Sequence, residues 1–370
     1  MSALEISIIV PCEGREELVE RLLGSLIICK ASINESVEII VVDSSVGAAR
    51  EALEVCCRRY GARYIHGDRH VGRKRNQGAR AASGRYLFFV DSDCEARPDI
   101  LQQHLDSLRS MPHEVAGGSV GVTEFVGTAS WVNRLAEASP FTLAFSFARQ
   151  MPFCAWAMTS NLVVSKEAFE RLGGFDENLP FRLDGDDLDF TWRVTLSGLL
   201  LKASPEAVVY HARDTWGRAR AFASRIWRWG RVEHLLRLKH RALLRRQFPH
   251  IVFWAIWFGL ISLGLGKPLG VHDIAGIKTL AGLLSVGVVL EQVLTRRRSG
   301  AGIWKMVPGL CASSALYRIA SWRECVGRRR WLPPFRKLYF DDWHLRFDAE
   351  TQAVSAWLVI LSCALVIGIG

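Results

Sequence analysis

Two groups of carboxylates stand out in this sequence. Asp91-Ser92-Asp93 follows directly on the apolar run Tyr86-Leu87-Phe88-Phe89-Val90, and further along lies Asp184-Gly185-Asp186-Asp187-Leu188-Asp189. A short buried strand that ends on two carboxylates presents hard oxygen ligands, the kind that hold Mg²⁺ or Mn²⁺ against a diphosphate. Asp and Ser are also ordinary turn residues after a strand, so the tripeptide alone admits a cation site or a plain turn.

The elements that must position these acids alternate. Apolar runs predict strands over residues 6–10, 37–42 (ending at Asp43), 63–65 and 86–90, with helices over 15–29, 51–60 and 73–82 between them. Such alternation implies right-handed crossovers and an α/β, Rossmann-like, mostly parallel sheet flanked by helices. Ligands bind such sheets at the carboxyl ends of the strands, where Pro11, Asp43, Asp91 and Asp93 all fall. Arg73-Lys74-Arg75 opens a predicted helix, where the three cations either attract phosphate or form a solvated face. Residues 112–158 are read as including loops that face a ligand. Their aromatics, Trp131, Phe141, Phe145, Phe147, Phe153 and Trp156, either stack on a ligand or pack in the core.

A net charge of +10 over 370 residues, with a pI near 9.3, points to an acidic partner: nucleic acid, anionic lipid or a phosphorylated substrate. The nine cysteines include no C-x-x-C pair, which argues for reduced thiols in a cytosolic domain. The first residues run into a strand pattern with no secretory signal. Internal repeats are absent, which excludes a scaffold array.

The last third is different. Residues 353–370 hold eighteen positions without a charge, about 27 Å of helix and most of a bilayer core. Residues 251–269 and 274–294 are also apolar and read as a helical hairpin, giving three expected spans. Residues 303–320, interrupted by Lys305, Pro308 and Arg318, read as interfacial, re-entrant or a fourth span. Residues 211–247 carry eleven Lys/Arg against two acids, and Arg296-Arg297-Arg298 follow the second span; both belong on the cytoplasmic side. Arginines interleaved with Trp216, Trp227 and Trp229 suit an RNA-binding stripe or a membrane-surface helix. The apolar hairpin that follows favours the membrane, so nucleic acid is not an expected partner. The expected division is 1–210, an α/β domain; 211–248, basic Trp-rich amphipathic helices on a membrane surface; and 249–370, a membrane region.

Six motifs in order resemble glycosyltransferase family 2. They are Ile8-Ile9-Val10-Pro11; Val41-Val42-Asp43-Ser44-Ser45; the run Arg75-Asn76-Gln77-Gly78 through Val90-Asp91-Ser92-Asp93; Ser160-Asn161-Leu162-Val163-Val164; Gly173-Gly174-Phe175-Asp176-Glu177; and Val208-Val209-Tyr210-His211. The resemblance covers about residues 5 to 240 and implies a GT-A fold in a membrane-anchored bacterial-type member. The chain departs from the family in having Cys12-Glu13-Gly14-Arg15 where an aromatic and an Asn usually follow the first Pro, and Asp186-Asp187 in place of Glu-Asp. The Gln-x-x-Arg-Trp motif of processive members has only a distant echo at residues 224–229, which argues against a long-chain polysaccharide synthase.

The resemblance implies roles for single residues. Asp43 would bond the base of a nucleotide sugar, Asp91 would lie near the ribose or metal, and Asp93 would coordinate Mn²⁺ or Mg²⁺ on the diphosphate. His211 is a further candidate ligand, or else a surface histidine at a strand end. Pro11, Glu13, Arg75 and Asp186 join Asp43 and Asp91 as nucleotide-sugar-binding candidates. Asp187 is the expected general base of an inverting transfer. Equally, Asp186, Asp187 and Asp189 favour the first turn of a helix running to Ser197, with Asp189 pairing Arg193 at i,i+4.

The implied function is metal-dependent sugar transfer from a nucleotide-diphosphate donor, UDP or GDP, to a lipid-linked or membrane-associated hydroxyl. The enzyme would sit in the inner membrane with its catalytic domain in the cytoplasm. A non-catalytic nucleotide-sugar-binding subunit of a membrane synthase, or a basic lipid- or RNA-binding module, are the alternatives.

Overall fold

The computed structural model describes residues 5–180, 184–246, 251–261, 274–295, 305–328, 336–338, 354 and 356–363. The chain divides into two compact units, one of residues 1–133 and 140–218, the other of 134–139 and 219–370.

The first unit is a mixed α/β domain. In chain order it comprises β1 (Ile6–Cys12), α1 (Glu16–Ala31), β2 (Val37–Asp43), α2 (Ala48–Arg59), β3 (Arg63–His66), α3 (Val71–Ala81), β4 (Tyr86–Phe89), β5 (Cys94–Ala96), α4 (Ile100–Arg109) and β6 (Ala116–Val126). After α5 (Trp131–Ala138), whose residues from Arg134 onward group with the second unit, come β7 (Phe153–Cys154), β8 (Leu162–Ser165), α6 (Lys166–Arg171), α7 (Asp186–Leu196) and β9 (Leu200–Ala212). Among the described residues the sheet runs β3-β2-β1-β4-β8-β6-β9-β5, with β7 also on β9.

The four strands anticipated from sequence, β3-β2-β1-β4, are parallel neighbours. Their near-continuous apolar runs suit strands covered on both faces, and β1 is buried along its whole length. Helix α1 covers them with Val19, Leu22, Leu23, Leu26 and Cys29, a stripe at helical spacing.

The other half corrects the mostly parallel expectation. Strand β8 is antiparallel to both β4 and β6, and β5 and β7 are antiparallel to β9; only β6 and β9 run parallel. Residues 112–158, read as including loops, contain the eleven residues of β6. Its glycines hide it from propensity, because Gly weakens a strand pattern. They are there for close approach: a Cβ on Gly121 would lie 2.2 Å from Asn161 Nδ2.

That contact belongs to a buried polar clamp. Asn161 Nδ2 donates to the carbonyls of Val122 and Ala207 (2.9 Å each), so its Oδ1 is free to accept from His104 Nε2 at 2.9 Å. His104 Nδ1 then accepts from Ser119 Oγ. Burial pushes the His104 imidazole down to about 4, which keeps it neutral in this network.

In the second unit, α8 (Ala219–Lys239) is followed by β10 (Leu244–Arg246), α9 (Ile251–Leu260), α10 (Ile274–Thr295), α11 (Val307–Gly327) and β11 (Arg336–Leu338), which pairs antiparallel with β10. The basic, Trp-rich stretch is thus one long helix, and it buries Phe222, Ile226, Gly230, Val232 and Leu236. It crosses α11 closely: a Cβ on Gly230 would meet the Tyr317 carbonyl at 2.2 Å. Glu324, buried on α11, accepts from Arg231 (2.7 Å) and Arg328 (2.6 Å), and Arg323 lies over the Trp227 ring.

The segment 303–320, expected to be interrupted, lies within α11 from Val307 onward. Pro308 occupies the first turn, where its missing N–H has no helical partner to lose. Of the expected spans, α9 covers the first part of 251–269, α10 covers 274–294, and residues 354 and 356–363 of the last are helical. Residues 262–270 and 364–370 lie outside the described residues. Among the described residues no helix is long and apolar enough to cross a membrane, so the transmembrane helices expected from sequence are not found there.

Candidate active site

The carboxyl edge of the parallel strands gathers most of the candidate residues. Asp91 and Asp93 follow β4, and Arg75 on α3 reaches them from beneath. Its Nη2 donates to Asp91 Oδ1 at 3.1 Å and its Nη1 to Asp186 Oδ2 at 2.7 Å, with the guanidinium 5.6 Å from the Phe175 ring centre. The Arg75 side chain is only 7% exposed. Burial works against its charge, but Asp186, Asp91 and Asp187 outweigh that and raise it. The expected exposed basic triplet is therefore corrected. Lys74 is also buried, donating to the Cys12 carbonyl (2.6 Å) and Ser44 Oγ (3.0 Å), while Arg73 pairs with Asp68 at the surface. Lys74 knits the ends of β1 and β2 together rather than facing solvent.

Helix α7 starts at the acidic cluster. Asp184 and Gly185 both take left-handed backbone angles (φ 63° and 88°), which turns the chain sharply into the helix. Asp186 is buried against Arg75, and Asp189 pairs with Arg193 as expected, at 2.9 Å. Asp187 has neither arginine: its Oδ1 accepts from the Leu188 amide at 2.8 Å. Burial pushes its carboxyl up to about 7, the Asp186 charge adds to this, and Arg75 opposes it. Enclosure likewise raises Asp91, with Arg75 opposing and Asp93 reinforcing.

Asp93 is held on both oxygens. Oδ2 meets Arg15 Nη1 at 2.7 Å and Oδ1 meets His211 Nε2 at 3.2 Å. His211 is buried at the end of β9, which corrects its reading as a surface residue. Its ring is walled by Phe125, Phe145 and Trp216, with centroids 5.5, 6.5 and 6.1 Å away.

Asp43 stands in a separate network. It is 0% exposed, Oδ1 accepts from the Ser45 amide (3.0 Å) and hydroxyl (2.6 Å), and Oδ2 accepts from Tyr64 at 2.9 Å. Pro11 is buried in β1 opposite Val42, and Glu13 lies at the rim with Arg69, 2.6 Å away.

Three contributors were not singled out from sequence. Asn76 ties α3 to the Gly-Gly-Phe turn, donating to the Phe175 carbonyl (2.8 Å) and Glu177 (2.9 Å) while accepting from the Phe175 amide. Tyr64 completes the Asp43 network, and Arg15 covers Asp93. Asn76 lies inside a quoted motif, but nothing in the sequence links Arg15 to a residue 78 positions away.

Residues 7–173 match the model of the family described as Glycosyl transferase family 2. The match covers 167 of the 370 residues, a little under half of the chain. The validoxylamine A glucosyltransferase of Streptomyces hygroscopicus subsp. jinggangensis (strain 5008) is 24% identical over 238 residues, covering 57% of this chain and 54% of that protein. The O-antigen biosynthesis protein RfbC of Myxococcus xanthus is 26% identical over 234 residues, 59% of this chain and 18% of its own length. The chain therefore spans about half the length of the glucosyltransferase it matches. Mannosyltransferase PcManGT from Pyrobaculum calidifontis, solved in complex with GDP-Man and Mn²⁺, aligns with TM-score 0.46 and 15% identity over 99% of this chain and 88% of that one.

The residues around Asp93 fit a hard cation, with His211 contributed from beyond the matched segment. Ligand atoms of Asp93, Cys94 and His211 lie within 4.8 Å of one another. His211 Nδ1 faces the Ala212 carbonyl at 3.2 Å, which can only accept, so that nitrogen carries the hydrogen. Nε2 faces Asp93 Oδ1 at 3.2 Å, so the ring and the carboxylate present two ligand atoms from separate strand ends to one point. A ring N–H on a backbone carbonyl is also how metal-binding histidines are oriented. Burial raises the Cys94 thiol well above its usual value, leaving a neutral, soft group that a hard cation does not prefer.

Proposed function

We propose that this protein is an inverting glycosyltransferase that moves a sugar from a UDP- or GDP-sugar to a hydroxyl of a lipid-linked or membrane-associated acceptor. The observation that carries the reading is the junction at Arg75, which binds the strand-end Asp91 and the helix-start Asp186 to one guanidinium. That junction brings a raised Asp187 carboxyl to the edge where Asp93 and His211 await a cation.

In this reading Asp187 takes the proton from the acceptor hydroxyl. The acceptor oxygen attacks the anomeric carbon from the face opposite the nucleotide, and the bond from that carbon to the diphosphate oxygen breaks. A carboxyl near 7 suits a base working near neutrality. Asp93 and His211 would hold Mn²⁺ or Mg²⁺, which supplies positive charge to the departing diphosphate. Asp91 and Asp186, fixed by Arg75, border the sugar side. Pro11, Glu13 and Asp43, with Ser45 and Tyr64, border the nucleotide side; the internal donors on Asp43 make it an organiser of that wall.

Membrane association rests on the second unit. Its helices pack an apolar core around Ile251, Leu280, Leu284 and Val288. They also expose Trp257, Val286, Val289, Leu290, Trp357, Ile360 and Leu361 on other faces. Helices apolar inside and outside favour a non-aqueous cover. The inner membrane, with the catalytic domain on the cytoplasmic side, agrees with the basic flanks.

The test is donor-dependent release of UDP or GDP by the full-length protein across a panel of sugar nucleotides with Mn²⁺. Turnover of one donor, lost in Asp93→Ala, supports the reading. Failure of every donor to bind or turn over in folded protein sinks it.

A further inference from the structure

The two arginines at the acidic edge are built differently. Arg75 is enclosed and anchored on two carboxylates and a ring. Arg15 is 48% exposed, and among the described residues its guanidinium has one polar contact, Asp93 Oδ2 at 2.7 Å. It also sits on a strained turn. Gly14 and Arg15 are both left-handed (φ 67° and 60°), a conformation that glycine takes freely and an arginine does not. The Gly14 amide donating to Ser45 Oγ (2.6 Å), and the Arg15 carbonyl accepting from Leu18 and Val19 at the start of α1, hold this backbone in place. The turn therefore aims a mobile cation at the carboxylate that, with His211, fits a divalent ion.

We propose that Arg15 is an exchangeable counter-cation. It holds Asp93 while the donor site is empty, and it turns to the donor's diphosphate when Asp93 takes up a divalent ion. This rests on the transferase reading above. The physical argument is competition. Arg15 and a divalent ion both draw on the charge of one carboxylate, and two cations so close repel each other unless an anion arrives between them. A diphosphate is such an anion: in the donor it carries two negative charges, which Asp93 supplements at the ion, and in the released nucleoside diphosphate about three, more than one divalent ion cancels. Arg15 needs only side-chain rotation to reach it, because among the described residues no second polar partner restrains the guanidinium.

The experiment uses the full-length protein with two binding measurements and no turnover. Mn²⁺ affinity without nucleotide is read from the electron paramagnetic resonance of free Mn²⁺, and UDP and GDP affinity at saturating Mn²⁺ by calorimetry. Arg15→Gln should bind Mn²⁺ about 3–10-fold more tightly and the preferred nucleotide about 10-fold more weakly, the range expected for one accessible charge pair. Arg15→Lys should fall between it and wild type on both. Unchanged or weaker Mn²⁺ affinity in Arg15→Gln, or unchanged nucleotide affinity, overturns the proposal. Asp93→Ala separates the two levels of argument: Mn²⁺ binding that survives this substitution rejects the metal site itself, whatever Arg15 does.

Discussion

Arg75 and Asp186 meet at 2.7 Å across 111 positions of sequence, both buried. This pair fixes α7 to α3 and sets where Asp187 stands. Removing the cation would leave Asp186 buried, and Asp91 half-buried, without their counter-charge. Arg75→Ala should therefore cost about 3–5 kcal/mol, read as a lower denaturant midpoint. Arg75→Lys should recover only part, because an ammonium cannot fork between Asp91 and Asp186.

Asp187→Asn should lower turnover by about 10²–10⁴-fold while leaving donor binding within a small factor. In wild type the rate should climb with pH through about 7, as the Asp187 carboxyl loses its proton. Stability should run the other way. A carboxyl raised on folding favours the native state at low pH, and that contribution is lost as pH rises through 7. The Asn variant should thus gain about 2–4 °C in Tm at pH 8, roughly 1 kcal/mol in a domain of this size, and nothing at pH 4. An equal gain at both would show that Asp187 is not raised.

His211→Ala and Asp93→Ala should each abolish the stabilisation that Mn²⁺ confers on donor binding. His211→Ala should do so with a modest loss of stability, since its ring also packs on Phe125 and Trp216. Donor binding with Mn²⁺ that stays equal to wild type in both variants would remove the metal from the mechanism.

His104→Ala strands Asn161 Oδ1 and Ser119 Oγ and opens a cavity, for about 2–4 kcal/mol. Burial lowers this histidine to about 4, so its contribution holds above 6.5 and fades as pH falls toward 4. Urea melts at pH 7.5 and pH 4.5 should therefore show the gap between variant and wild type narrowing in acid.

Trp357 is 71% exposed and Ile360 55%. If the second unit meets lipid, full-length protein should float with phosphatidylethanolamine–phosphatidylglycerol vesicles, and Trp357→Asp with Ile360→Asp should reduce the bound fraction severalfold. Flotation unaffected by the double change would move the contact elsewhere.

The parallel half of the sheet was legible because β4 is an apolar run and β1 and β2 are apolar but for Ser7 and Glu38 before their ends, and the acids after β4 are set by chain order alone. Strand β6 was not, since Gly117, Gly118 and Gly121 read as loop residues until the strands beside them are known. The buried state of Lys74 and Arg75 was equally hidden: helical position says which way a side chain leaves, not whether a carboxylate waits there. Arg15 illustrates the same limit, its partner lying 78 residues away.

Residues 134–139 group with the second unit although the chain on both sides of them belongs to the first. The boundary is therefore crossed three times, at 133, 139 and 218, and the units are interlaced along the polypeptide instead of strung end to end. No single scissor point yields either one whole: a fragment ending at Arg218 still carries six residues that cluster with what was cut away. An expression fragment meant to isolate the first unit would carry that hexapeptide without the residues it clusters with.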